Sequence, residues 1–260
     1  MKNAAFLFFF LFSISGTFGA SIAYFYALDA DLQSLVDLGG HSETISHPGS
    51  PAITKTSIGN YEVFATKMGV GCVETAITAQ ALLSTVRCSL AISVGPVGAL
   101  ASNLEIGQWG RVEKVIGYQR GTYQSEGFVL AEGSTLTLPN IPAFEKSAIF
   151  QEDGGLFTVA SGEIFCSSAS FRTHIKSTFG ANTIDMNLWG LVQVCKKYQL
   201  PLAAWRIVSD HAKENASEEF SNFHQTYQGT GGAKIAALIR SLPPDPTSVG
   251  SYLNLKSLLK

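Results

Sequence analysis

Leu202-Ala203-Ala204-Trp205-Arg206-Ile207-Val208-Ser209-Asp210-His211 begins as an unbroken apolar run and ends in a polar tip. A short run of this kind, without alternation, suits a strand buried on both faces. Strands of that type belong to α/β sheets, whose ligand crevices lie at the carboxyl ends of the strands. Arg206, Ser209 and Asp210 therefore fall where a site is expected, and Asp210 is a candidate general acid. The competing reading makes Asp210 only the N-cap of the next helix, since Asp is favoured there.

The segments around this strand repeat the pattern. Ile22–Leu28 reads as a buried strand, and Leu32, Leu35, Val36 and Leu38 follow at helical spacing. Asp29 and Asp31 thus sit at a strand-to-helix turn, where a first-turn acid also satisfies the helix dipole. Gly39–Ser50 reads as a loop and Glu62–Met68 as another strand. Gly69-Val70-Gly71-Cys72 then leads into a helix over Val73–Leu83. This resembles the opening of a dinucleotide site, but the GxGxxG pattern fails because residue 74 is Glu. Ser89–Val94 is a third apolar strand, followed by what reads as a glycine turn, Gly95-Pro96-Val97-Gly98. Shorter strands are expected near Gly107–Ile116, Phe128–Leu130, Leu136–Leu138 and Phe157–Ala160, and helices at Phe171–Ser177, within Ile184–Tyr198 and near Gly232–Leu242. Alternating strands and helices predict a single three-layer α/β/α domain with a central mixed, mostly parallel sheet.

Composition sets the outer bounds. The 260 residues are 46% hydrophobic and 15% charged, enough for a large core and too apolar for disorder. A net charge of −2 gives no basic field for nucleic acid. Cys72, Cys88, Cys166 and Cys195 lack CxxC spacing and lie in or beside apolar runs, so free thiols are expected rather than a disulfide framework or a zinc site. No histidine pattern suggests a metal, and no cofactor is implied.

At the N-terminus, Lys2 precedes the uncharged stretch Ala4–Phe12, and small residues run on to Ala20. That is a secretory layout, with cleavage expected after Gly19 or Ala20, and the apolar core is too short for a comfortable membrane span. The reading is a leader over 1–20, a domain over 21–242 and a tail over 243–260. The mature protein is then periplasmic or secreted, without stable membrane association. An uncleaved anchor, or a start set too early on a cytoplasmic protein, is the competing view.

Six pieces occur in an order that resembles the purine nucleoside phosphorylase and nucleosidase superfamily: Ala27–Leu32, Gly69–Ala76, Gly95–Leu100, Ser161–Phe165, Asp185–Cys195 and Arg206–Asp210. The resemblance is closest to the methylthioadenosine/S-adenosylhomocysteine nucleosidases and the futalosine hydrolases. It implies that Asp210 protonates N7 of a departing purine, oriented by Ser209, and that Asp31 activates water. It places Phe165 on the base and Cys166 at the base edge. Met186 and Asn187 fall on the ribose, Phe220 over the 5′ substituent, and Arg206 in the water and ribose network. Three positions depart from the family. Asn187 replaces a ribose-binding glutamate, Asp31 replaces a longer Glu, and Pro96 replaces a serine that helps place water.

The phosphorolytic branch carries a Gly-Asp-Pro-x-Arg run where this chain has Ala27-Leu28-Asp29-Ala30-Asp31. Two acids and no arginine there argue against phosphate and for water as nucleophile. The resemblance thus implies hydrolysis of a 5′-modified adenosine: 6-amino-6-deoxyfutalosine, a menaquinone precursor, or methylthioadenosine or S-adenosylhomocysteine. It also implies a homodimer. Two other readings are a nucleoside-binding protein without turnover and a structural protein on an inherited scaffold.

Overall fold

The computed structural model describes residues 21–46, 51–141, 144 and 155–243. The expected leader and nearly all of the expected tail lie outside them. The central sheet is built on β1 (Ser21–Tyr26), β4 (Tyr61–Lys67), β5 (Leu90–Ala99) and β12 (Leu202–Asp210). These four are joined by parallel ladders, in the order β12-β5-β1-β4. Beyond β12 come β6 (Trp109–Gly117), β10 (Gly155–Ser161) and β11 (Thr183–Asp185), with β9 (Thr135–Thr137) paired to β6. Beyond β4 lie β3 (Ile53–Ile58) and β2 (Ser42–Ile45), both antiparallel. β7 (Gly121–Gln124) and β8 (Gly127–Leu130) form a separate hairpin.

Side-chain alternation along the central strands divides the core into two layers. Tyr24, Tyr26, Ile92, Val94, Trp205 and Ile207 face α1 (Asp29–Gly39) and α6 (Thr230–Ser241), including Leu35, Ile235 and Ile239. Ala23, Phe25, Ala91, Ala204 and Val208 face α2 (Cys72–Thr85) and α4 (Leu188–Lys197), including Leu82 and Leu191. Burying a side chain such as Leu35 or Leu82 stabilises the fold by about 1.5–3 kcal/mol. α3 (Ala169–Phe179) and α5 (Ala216–Thr226) complete the described helices.

Two sequence expectations give way here. The supposed loop over Gly39–Ser50 contains β2, an edge strand with exposed or half-exposed side chains, so no alternation marked it. Gly95-Pro96-Val97-Gly98 is not a turn but the second half of the ten-residue strand β5. Pro96, in register with Ile207 of β12, is tolerated because, among the described residues, the other edge of β5 is unpaired at this point, between two ladders. The β1 ladder ends at Tyr26↔Val94, and the β11 ladder begins at Ile184↔Gly98. The sheet curls far enough for β11 to pair with both β10 and the far end of β5. That curl brings Asp185 and Asp210 to the same end of the molecule.

Candidate active site

A cavity of about 260 Å³ opens at the carboxyl ends of the central strands. Its geometry follows from Gly98, which pairs with Asp210 on one side and Ile184 on the other. A Cβ on Gly98 would lie 2.9 Å from Asp210 Oδ1 and 3.2 Å from Ile184 Cγ2, so no side chain fits between them. The β12 ladder slips by one residue between Val208 and Asp210. A bulge of this kind re-aims the side chains after it, and here Asp210 lines the cavity.

Asp210 is buried. Its Oδ2 accepts from the Ser209 hydroxyl at 2.8 Å and its Oδ1 from the Ala212 amide at 3.0 Å. Ser209 also reaches the Val97 carbonyl, at 3.2 Å. Burial pushes the Asp210 carboxyl above the usual range, more than the Ser209 and Ala212 donors pull it down. The direction is the one a general acid needs. The N-cap reading loses its footing, because the next helix, α5, begins only at Ala216 with Asn215 as its cap.

Aromatic rings stand beside the acid. Phe165, in the loop after β10, and Phe220, on α5, meet edge to face with centroids 6.3 Å apart, and both line the cavity. Cys166 lines it too. Its thiol lies 3.5 Å from the Ala212 carbonyl, and burial raises its pKa. All four cysteines are free.

Farther along, Pro96, Met186, Asn187 and Asp185 form the lining, backed by Arg206. Arg206 is fully buried and does not itself line the cavity, but it holds two residues that do. Its Nε donates to Asp185 Oδ2 at 3.1 Å, its Nη1 to the Ser93 hydroxyl at 3.1 Å, and its Nη2 to Asn187 Oδ1 at 3.3 Å. Asp185 Oδ1 accepts from the amides of Asn187 and Leu188, at 3.3 and 3.2 Å, at the start of α4. A buried guanidinium needs such a partner, since leaving one buried charge alone costs about 3–5 kcal/mol. Asp185 was legible only as part of a polar stretch before α4. Its value lies in a pairing with Arg206 across two strands that do not pair with each other in the sheet.

Asp31 is a correction. It does not line the cavity. It sits on the buried face of α1 with Leu35, one turn on, and points at the start of α6. Its Oδ1 accepts from the Tyr227 hydroxyl at 2.6 Å and from the Gly232 amide at 3.1 Å. Its Oδ2 has no hydrogen-bond partner. A Cβ on Gly232 would come within 1.9 Å of the Asp31 carbonyl, so glycine is what lets the helices meet. Burial raises the Asp31 carboxyl to about 6, against the pull of Tyr227 and the Gly232 and Gly231 amides. The helix phase, with Asp31 and Leu35 four residues apart, was the signal that this acid faces inward.

The opposite end of the cavity is lined by Ala27, Leu28, Lys67, Met68, Gly69 and Val70. Lys67 is the cation of the described lining, and its Nζ lies 2.6 Å from Asp29 Oδ2. Glu163 Oε1 already accepts from the Val73 amide at 3.1 Å, filling the helix start with the chain's own carboxylate.

A curled mixed sheet, with a buried acid and two aromatic rings at one end of a single-ligand cavity, defines an α/β small-molecule site. The chain belongs to the phosphorylase superfamily, whose family model matches residues 21–241. It is 26% identical over 201 residues to a 5′-methylthioadenosine/S-adenosylhomocysteine nucleosidase of Staphylococcus carnosus, covering 72% of this chain and 86% of that one. It is 28% identical over 196 residues to the nucleosidase of that name from Staphylococcus saprophyticus, covering 70% and 82%. Among solved structures, the Helicobacter pylori nucleosidase of that name superposes with a TM-score of 0.77 at 20% identity, over 86% of this chain and 99% of that one. The futalosine hydrolase of Helicobacter pylori does so with a TM-score of 0.76 at 20% identity, over the same shares.

Proposed function

We propose that the protein hydrolyses the N-glycosidic bond of a 5′-modified adenosine and releases adenine. The observation that carries this is Asp210: a buried carboxyl, with its pKa raised, at the aromatic end of the cavity. Phe165 and Phe220 hold the purine there, with Cys166 at its edge. Protonated Asp210 gives its proton to N7, and the base leaves as a neutral molecule. Ser209 keeps the carboxyl turned toward the cavity. The sugar is left with oxocarbenium character, as in glycoside cleavage generally. Asp185, whose charge is balanced by its buried ion pair with Arg206, stands on the sugar side beside Met186 and Asn187. Water then adds to the sugar and releases its proton to solvent, from which the Asp210 carboxylate takes one back for the next turnover. Asp31 has no part in these steps, because its carboxylate lies on the far side of the lining, against α6.

Water rather than phosphate suits the lining. Among the described residues, Lys67 is its cation, and that ammonium is already paired with Asp29. Phosphate binding calls for arginines and open amides. The resemblance's homodimer belongs to this proposal too. Val70, in the cavity lining, and Val73 and Ile77, on α2, are exposed apolar side chains that a second copy would cover; light scattering reads the mass.

The test incubates the purified protein with each of the three nucleosides, with and without phosphate, and follows adenine. Phosphate-independent adenine release is expected. A sugar 1-phosphate product would make the protein a phosphorylase, and binding without release would make it a nucleoside-binding protein.

A further inference from the structure

Asn187 stands at the sugar side of the cavity, and its amide has only one allowed orientation. Arg206 Nη2 lies 3.3 Å from its Oδ1. A guanidinium carries donors and no acceptor, so the oxygen must face the arginine and the NH2 must face away. The same arginine is locked by Asp185, by Ser93 and by the Trp205 carbonyl, so it does not release Asn187. Among the described residues no protein acceptor meets the Asn187 Nδ2. Asn187 is half-buried and lines the cavity, so that NH2 group faces the ligand. The neighbouring carboxylate, Asp185, already accepts three protein hydrogen bonds, and a carboxylate has about four acceptor positions.

We infer that Asn187 meets a sugar hydroxyl with its neutral NH2 donor rather than with a charged acceptor, so that the site accepts 2′-deoxy and 3′-deoxy sugars nearly as well as ribose. The inference rests on the nucleosidase reading and extends its substrate class to deoxyribonucleosides. The physical reason is the difference between two hydrogen bonds. A hydroxyl that donates to a carboxylate gains a charge-assisted bond, whereas one that accepts from an amide gains a neutral bond about half as strong. Losing a hydroxyl from a neutral bond weakens binding by about tenfold or less, and losing it from a charged one by as much as about 100-fold.

The measurement uses the Asp210→Asn protein, in which cleavage is slowed, and the probes 5′-methylthioadenosine and its 2′-deoxy and 3′-deoxy counterparts. Dissociation constants come from calorimetry, and KM values for the same three compounds on the unaltered protein give a second reading. Both deoxy compounds are expected to bind within about tenfold of the ribose compound. Weaker binding by about 100-fold for either one overturns the inference, while adenine release from the ribose compound leaves the nucleosidase reading standing. No adenine release from any of the three by the unaltered protein sinks that reading instead.

Discussion

Replacing Asp31 by Asn separates a structural acid from a catalytic one. The carboxyl is held at about 6 by burial, against an ordinary value of 3.8. At about 1.4 kcal/mol per pH unit, keeping it charged at pH 7 costs the fold about 3 kcal/mol. The sign follows from the raised folded value. Between pH 3.8 and about 6 the native state holds the proton more tightly than the unfolded chain. The contribution of Asp31 to stability is therefore fully present below pH 3.8 and is lost as pH rises through about 6. Asparagine keeps an oxygen for Tyr227 and Gly232 and carries no charge, so Asp31→Asn should gain about 1–3 kcal/mol at pH 7. Urea unfolding should show that gain at neutral pH and none below about pH 4. Adenine release should stay within about threefold of the unaltered protein, because the side chain is outside the cavity. A loss of about 10²-fold, the usual cost of removing a general base, would refute the placement and restore Asp31 as the group that activates water.

Asp210→Asn should remain folded by circular dichroism and lower adenine release by at least about 10²-fold; turnover like that of the unaltered protein would remove the acid assignment. Because Asp210 must be protonated to act, kcat/KM should fall as pH rises past its raised pKa, and a rate that climbs with pH instead would point to a base in this position. Gly98→Ala should cut kcat/KM by about tenfold or more, since its Cβ would stand 2.9 Å from Asp210 Oδ1; full activity would show that β5 and β12 yield more than their ladder suggests. Sequencing the natively expressed protein should find a start at Ala20 or Ser21, and an intact Met1 would end the export proposal.

The site was readable from sequence wherever function coincides with a strand end. The run over Leu202–Asp210 is buried along its whole length, and its polar tip is the cavity wall, as the loss of apolar residues implied. Phe165 and Cys166 follow a strand in the same way. What sequence hid depends on phase and on distant partners. Asp31 follows a strand too, but the helix that starts two residues earlier turns it toward α6. Arg206 looked like a ligand contact and is instead a brace behind the wall, because only the curled sheet brings Asp185 beneath it. α5 carries Glu218 and Glu219 in its first turn and buries only Ala216 and Phe223. That leaves too little apolar periodicity to announce a helix, so Phe220 was placed by family likeness alone.

The order of strands also sets a length scale. Asp210 is on β12 and Lys67 on β4, three strand positions apart across β5 and β1. With neighbouring strands about 4.8 Å apart, the sheet itself sets roughly 14 Å of lateral separation between the backbones that carry the acid and the ammonium. Mutating cavity side chains changes how a ligand is held between those marks, but not the distance between them. Any molecule that engages both must span that gap.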